Sequence, residues 1–213
     1  MIEIKRLVCN MVQENTYIVS DETREAVIID CGAFYDAERR AVVNYIKDNA
    51  LKPKHLLGTH GHFDHNFGND TIYQEFGLKP EVAAEDEDMM NLREQVKAMM
   101  GIEYEFEVPP IGRLIASGDI ISFGSHQLKA LPTPGHTRGS MTFYCEAEQT
   151  AFTGDTLFQM SVGRTDFEGG SWNEMLNSLT HVLGVLPAET KVYPGHGEPT
   201  TIGYERLYNP YMR

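Results

Sequence analysis

Residues 60–65 read His-Gly-His-Phe-Asp-His and follow directly on the apolar segment His55-Leu56-Leu57-Gly58-Thr59. Four side chains able to bind a metal, packed into six residues, constrain this chain more than any other feature. The apolar segment reads as a strand, and the ligand-rich run as the loop at its carboxyl end, where open α/β sheets place their ligands. Imidazole and carboxylate together suit zinc or iron, whereas calcium takes oxygen ligands alone. Three histidines and an aspartate would fill one tetrahedral ion and leave it no open position, so two ions are worth considering. The competing explanation is a turn rich in His and Asp, with Asp64 capping a helix that begins near Asn66. The density of ligands disfavours it.

A chain of 213 residues with 41% hydrophobic and 23% charged residues fits one α/β domain spanning residues 1–213, with a sizeable core. Its formal charge of -13 repels a phosphate backbone, which excludes nucleic acid as an expected partner. Divalent cations would offset that charge locally and leave room for an anionic small substrate. The first ten residues place charges inside their apolar run and lack a cleavage pattern, and no apolar run approaches the ~20 residues of a membrane helix. A cytoplasmic protein without membrane contact is therefore expected. Cys9, Cys31 and Cys145 are odd in number and far apart, which argues for buried single thiols over disulfides or a zinc ribbon.

Strand patterning covers Ile2 to Val8, Thr16 to Ser20 and Ala26 to Ile29, followed by a helix over Ala37 to Asp48 and the strand ending at Thr59. A helix from Phe67 to Phe76 comes next. The acidic, methionine-rich stretch from Asp86 to Met100 reads as one amphipathic surface helix with Met filling core gaps, in preference to a lid. Strands return at Ile120 to Phe123, Gln127 to Leu131, Ser140 to Cys145 and Ala151 to Phe152. A helix over Trp172 to Leu183, a strand at Lys191 to Tyr193 and a helix over Ile202 to Tyr208 complete two β-rich, helix-flanked halves.

Three further segments put a potential ligand just past a strand: Pro134-Gly135-His136-Thr137, Thr153-Gly154-Asp155-Thr156 and Tyr193-Pro194-Gly195-His196-Gly197. Each pairs the candidate with glycine, which lets the backbone turn sharply towards a common point. Singly they are weak signals; after the six-residue motif, and all at strand exits, they are jointly strong. His55, His126 and His181 have no such support.

The whole set resembles the metallo-β-lactamase fold superfamily, and within it the short glyoxalase II-like (hydroxyacylglutathione hydrolase-like) hydrolases. The resemblance implies a four-layer αββα sandwich of α/β (α+β) class with metals at one edge. Carried over position by position, it implies that His60, His62 and His136 hold a first metal and that Asp64, His65 and His196 hold a second. Asp155 would bridge the two, and Asp64 would also orient water or carry a proton. Zinc is the expected metal, with iron or manganese as alternatives. The flavodiiron, nuclease and exported β-lactamase branches fit less well, because His62 and Asp155 are present while extra domains, basic segments and a leader are not. Long glyoxalase II enzymes carry a carboxyl-terminal helical domain that helps grip glutathione, whereas this sequence stops at Arg213. The segment Gly163-Arg164-Thr165-Asp166-Phe167 and the ending Gly203 to Pro210 resemble the short group.

The activity so implied is hydrolysis of a small-molecule thioester such as S-lactoylglutathione by a hydroxide held between two metals, which acidify water towards neutrality. A thiolate, with a parent pKa of about 8.5, leaves without much help from an acid. By the same resemblance Arg164 is the candidate for gripping a substrate carboxylate, since it lies nine residues after Asp155, where long glyoxalase II enzymes place a binding lysine; Asp30, Thr59 and Thr137 are candidates for fixing ligand tautomers. The alternatives are a mononuclear-iron persulfide dioxygenase on the same fold, a hydrolase of another small ester or lactone, or a metal-stabilised binding module without turnover.

Overall fold

The computed structural model describes residues 1–212. Two six-stranded sheets pack face to face, and the chain builds them one after the other. The first sheet is β1 (Glu3–Cys9), β2 (Glu14–Ser20), β3 (Glu25–Ile29), β4 (Lys52–Leu57), β5 (Pro80–Ala83) and β6 (Arg113–Ile115), in that spatial order. β1 to β3 are antiparallel, and β3 to β6 run parallel. The second sheet uses β7 (Ile120–Phe123), β8 (His126–Pro132), β9 (Met141–Cys145), β10 (Thr150–Gly154), β13 (Lys191–Pro194) and β14 (Thr200–Thr201). β7 to β10 are antiparallel, β10 pairs β13 in parallel, and β13 pairs β14 antiparallel. A two-stranded ribbon, β11 (Leu157–Phe158) with β12 (Ser161–Val162), follows β10.

Period-two alternation explains the layers. On β2 and β3, Tyr17, Val19, Val27 and Ile29 point between the sheets and meet Phe123, Leu128, Phe143 and Phe152 of the second. Their neighbours Ile18, Ala26 and Ile28 face the other way and pack against Val42 and Ile46 of α1 (Asp36–Asp48) and Ile72 of α2 (Asn69–Phe76). On the opposite outer face, Val192 packs on Met175 of α4 (Trp172–Asn177), on Leu179 and Leu183 of the π-helical turn that follows it, and on Ile202 of α5 (Ile202–Tyr208). Strands buried on both faces read as near-continuous apolar runs, which is why β2 and β3 were legible. The result is the expected αββα sandwich.

Three local expectations change. The stretch 86–100 is not one helix: 3-10 turns over Ala84–Met90 are followed, after a break at Asn91, by α3 (Leu92–Met100). Asp86 must turn inward to bond two distant loops, and that breaks the helix. Met90 is buried, as a gap-filler should be, but Met89 and Met99 line a cavity. The short strands β5 and β6 gave no pattern, because β5 buries a charged residue: Glu81 is bonded to His55 at 2.6 Å and lies 3.7 Å from Arg113. The helix expected from Phe67 starts at Asn69, preceded by a 3-10 turn over Phe63–His65. Cys9, Cys31 and Cys145 are buried free thiols. Among the described residues no helix is long and apolar enough to cross a membrane.

Candidate metal centre

The carboxyl ends of β4, β8, β10 and β13 meet at one edge of the sandwich, and each delivers part of the site. The loop after β4 carries His60 to His65; His136, Asp155 and His196 follow β8, β10 and β13 respectively. Backbone bonds lock these loops together across the two sheets. Met141 N–H donates to Thr59 O at 2.8 Å, Asn15 N–H to Gly195 O at 2.7 Å and Gly195 N–H to Gly154 O at 2.9 Å. Asn66 holds the motif loop from within, its amide donating to the carbonyls of His60 and His62.

All seven candidate ligands are brought together. His60, His62 and His136 form one group of converging donors, and Asp64, His65 and His196 form a second. Asp155 lies between them: its Oδ2 is 3.5 Å from His136 Nε2 and 3.6 Å from His196 Nε2, and its Oδ1 is 3.4 Å from His65 Nε2. Asp64 Oδ2 is 3.4 Å from His196 Nε2.

The far nitrogen of four imidazoles meets an oxygen acceptor. His65 Nδ1 faces Asp30 Oδ2 at 2.9 Å, His136 Nδ1 faces the Arg164 carbonyl at 2.7 Å, and His196 Nδ1 faces the Val12 carbonyl at 3.1 Å. His60 Nδ1 faces Thr59 Oγ1 at 3.0 Å, and that hydroxyl donates onward to Asp30 Oδ2 at 2.8 Å. Each acceptor fixes the tautomer with its proton outward and its lone pair inward. His62 Nδ1 and His136 Nε2 then face each other at 2.8 Å, and His65 Nε2 and His196 Nε2 at 3.3 Å. His62 has no acceptor on its far nitrogen and can donate from Nδ1 to His136, whereas the lone pairs of His65 and His196 facing each other call for a proton or a cation. The buried His60 Nε2 and Asp155 Oδ1 have no hydrogen-bond partner, as expected of atoms reserved for a metal. The donor set fits divalent ions.

Electrostatics say the same. Burial opposes charge on His65, yet Asp155, Asp64 and Asp30 together raise its pKa well above the usual imidazole value. That position demands positive charge, as proton or as metal. Burial, with His65 and His62 adding to it, holds His60 well below the usual value, and burial followed by His136 lowers His62 to about 4. Burial pushes Asp155 up, but His65 and His196 more than offset it and keep the carboxyl ionised.

Of the candidates for fixing tautomers, Asp30 and Thr59 do hold imidazoles, whereas the Thr137 hydroxyl donates to Asp86 at 2.7 Å. Asp86 was not singled out in the sequence. Its buried carboxylate also accepts from Gly61 N–H at 2.9 Å and Gly139 N–H at 2.7 Å, tying the loop of His60 and His62 to that of His136. Arg164 acts locally through its carbonyl on His136. Its guanidinium is exposed, paired with Asp166 at 2.8 Å and placed 4.2 Å from the centre of the Phe167 ring. Arg138 lines a cavity of about 430 Å³ that opens beside His62.

Gly195 is a steric requirement: a Cβ there would strike Asp155 Oδ1 and lie 2.7 Å from His65 Cε1. Gly195→Ala is therefore expected to displace the carboxylate and lower turnover by about two orders of magnitude. Circular dichroism should show the fold retained; full activity in that variant would mean the close approach has no consequence.

The chain is similar to several known proteins. The chain is 33% identical over 208 residues to a Haemophilus influenzae protein named hydroxyacylglutathione hydrolase GloC, covering 94% of this chain and 93% of that protein. Among solved structures it is similar to the B3 metallo-β-lactamase BLEG-1, with a TM-score of 0.90, 31% identity and 99% of each chain covered. It is also similar to TTHA1623 in a di-iron-bound form, with a TM-score of 0.85, 31% identity and coverage of 97% of this chain and 99% of that one. The model of the metallo-β-lactamase superfamily matches residues 10–196, and the chain belongs to that superfamily.

Proposed function

We propose that the protein is a binuclear metallohydrolase that cleaves small-molecule thioesters of the S-lactoylglutathione type. His60, His62 and His136 would hold one ion, and Asp64, His65 and His196 the other, with Asp155 shared. The observation that carries this reading is the position of Asp155, within 3.6 Å of imidazole nitrogens belonging to both groups. The name carried by the Haemophilus relative supports the thioester, and the di-iron neighbour makes iron as eligible as zinc.

When bound, the ions supply Lewis acidity to a carbonyl oxygen and acidify water. The chain's own residues do the rest. Asp30, Thr59, Arg164 and Val12 hold four imidazoles in the tautomer that presents a lone pair. Asp64, whose pKa is lowered by His65 and His196 against the upward push of burial, stays a carboxylate and can accept a proton from water and orient it. Its own carbonyl is fixed by the Asn10 amide at 2.9 Å. Burial of His60, His65 and His136 limits water at the reacting centre. A thiolate leaving group asks for no acid.

The protein should hydrolyse S-lactoylglutathione, lose that activity on chelation and regain it with zinc, iron or manganese. Hydrolysis that survives complete metal removal overturns the reading. Oxygen consumption on glutathione persulfide by the iron-loaded protein, without thioester hydrolysis, would support the dioxygenase instead.

A further inference from the structure

The cavity beside His62 is lined by more acidic than basic side chains. Its apolar surface comes from Phe63, Met89, Met99 and Phe167, and its charged residues are five carboxylates against Arg138. Asp86 is already committed to two backbone amides and a hydroxyl. The other four, Glu85, Asp88, Glu94 and Glu168, are exposed at the cavity. Arg164, over Phe167, adds no net charge because Asp166 pairs with it. The balance is thus five carboxylates, four of them exposed, to one guanidinium. Inward of His62 lie the unpartnered His60 Nε2 and Asp155 Oδ1.

Resting on the thioester-hydrolase reading, we propose that this cavity receives the thiol part of the substrate and that this part carries a positive charge. Size places it there. The acyl carbonyl has to reach the centre, where His60 and His65 are 1% and 0% exposed, so the larger thiol part is left to the roughly 430 Å³ outside. Charge fixes its kind. A cationic head meets the carboxylates of Glu85, Asp88, Glu94 and Glu168, and the rings of Phe63 and Phe167 share the same lining, although Arg164 already lies over one face of Phe167. Glutathione carries two carboxylates and one ammonium, so its thioesters enter this field with a net negative charge.

Three probes with one acyl group separate the possibilities: acetylthiocholine, neutral S-acetyl-N-acetylcysteamine and the anionic S-acetyl-3-mercaptopropionate, assayed on the metal-loaded protein by thiol release. At low salt kcat/KM should fall in that order, with about a tenfold difference or more between the ends. High salt should shrink the difference. In the triple variant Glu85→Gln, Asp88→Asn, Glu94→Gln the ratio of cationic to anionic probe should drop at least about threefold, and exposure of all three positions makes a folded variant the expectation. Metal-dependent turnover that is equal on all three probes, or highest on the anionic one, overturns the proposal and leaves the hydrolase reading standing. So does a charge ratio unchanged in the variant. Failure to cleave these probes and S-lactoylglutathione alike removes both.

Discussion

Asp155→Ala is expected to lower metal content and thioester turnover together, with kcat down by about three orders of magnitude or more. The carboxylate approaches His65, His136 and His196 at 3.4–3.6 Å, so no other residue in the site touches as much of both donor groups. Removing it leaves imidazole lone pairs facing one another with less negative charge to hold a cation between them. Asp155→Asn keeps the shape and one oxygen and should fall between the two. Metal analysis by plasma mass spectrometry and the metal-induced rise in Tm should both shrink, since an ion that binds the native state stabilises it by mass action. Unchanged metal content and turnover in the alanine variant would show that Asp155 is not shared between the ions.

The second large effect belongs to a residue that contacts no candidate ligand side chain. Asp86→Ala should destabilise the fold by about 3–5 kcal/mol, because it leaves the Gly61 and Gly139 amides and the Thr137 hydroxyl without their buried acceptor. For a chain of this length that is a fall in Tm of about 10 °C. The two loops it joins carry His60 and His62 on one side and His136 on the other, so metal affinity should drop by about 10–100-fold as well. Urea unfolding of the metal-free protein isolates the first effect, and a chelator competition the second. A loss below about 1 kcal/mol would mean that water replaces the carboxylate.

The site was more legible than the wall around it. Strands β2 and β3 are buried on both faces and announce themselves by β-branched runs, and the ligands sit directly after strands, where glycine turns mark them. Local pattern therefore marked the candidate ligands that the fold brings together, and the family resemblance supplied their division between two ions. Asp86 shows what local pattern omits. Its partners are 25 to 53 residues away in sequence, and in its own neighbourhood it is one acid among several. Arg164 and Arg138 make the same point in reverse. Position relative to Asp155 favoured Arg164, yet its guanidinium folds back onto Asp166 and Phe167 while Arg138 faces the cavity. A side chain's direction depends on packing across loops that a linear reading does not bring together. Short β5 failed for a related reason, since Glu81 meets His55 and Arg113 from other strands.

The central claim is that two ions share one carboxylate. It is tested most directly by adding zinc in measured equivalents to the metal-free protein while recording bound metal by native mass spectrometry and hydrolysis of S-lactoylglutathione or acetylthiocholine. Activity should rise until two ions are bound per chain and then stop. Full activity with a single ion bound, or any activity with none, would contradict it.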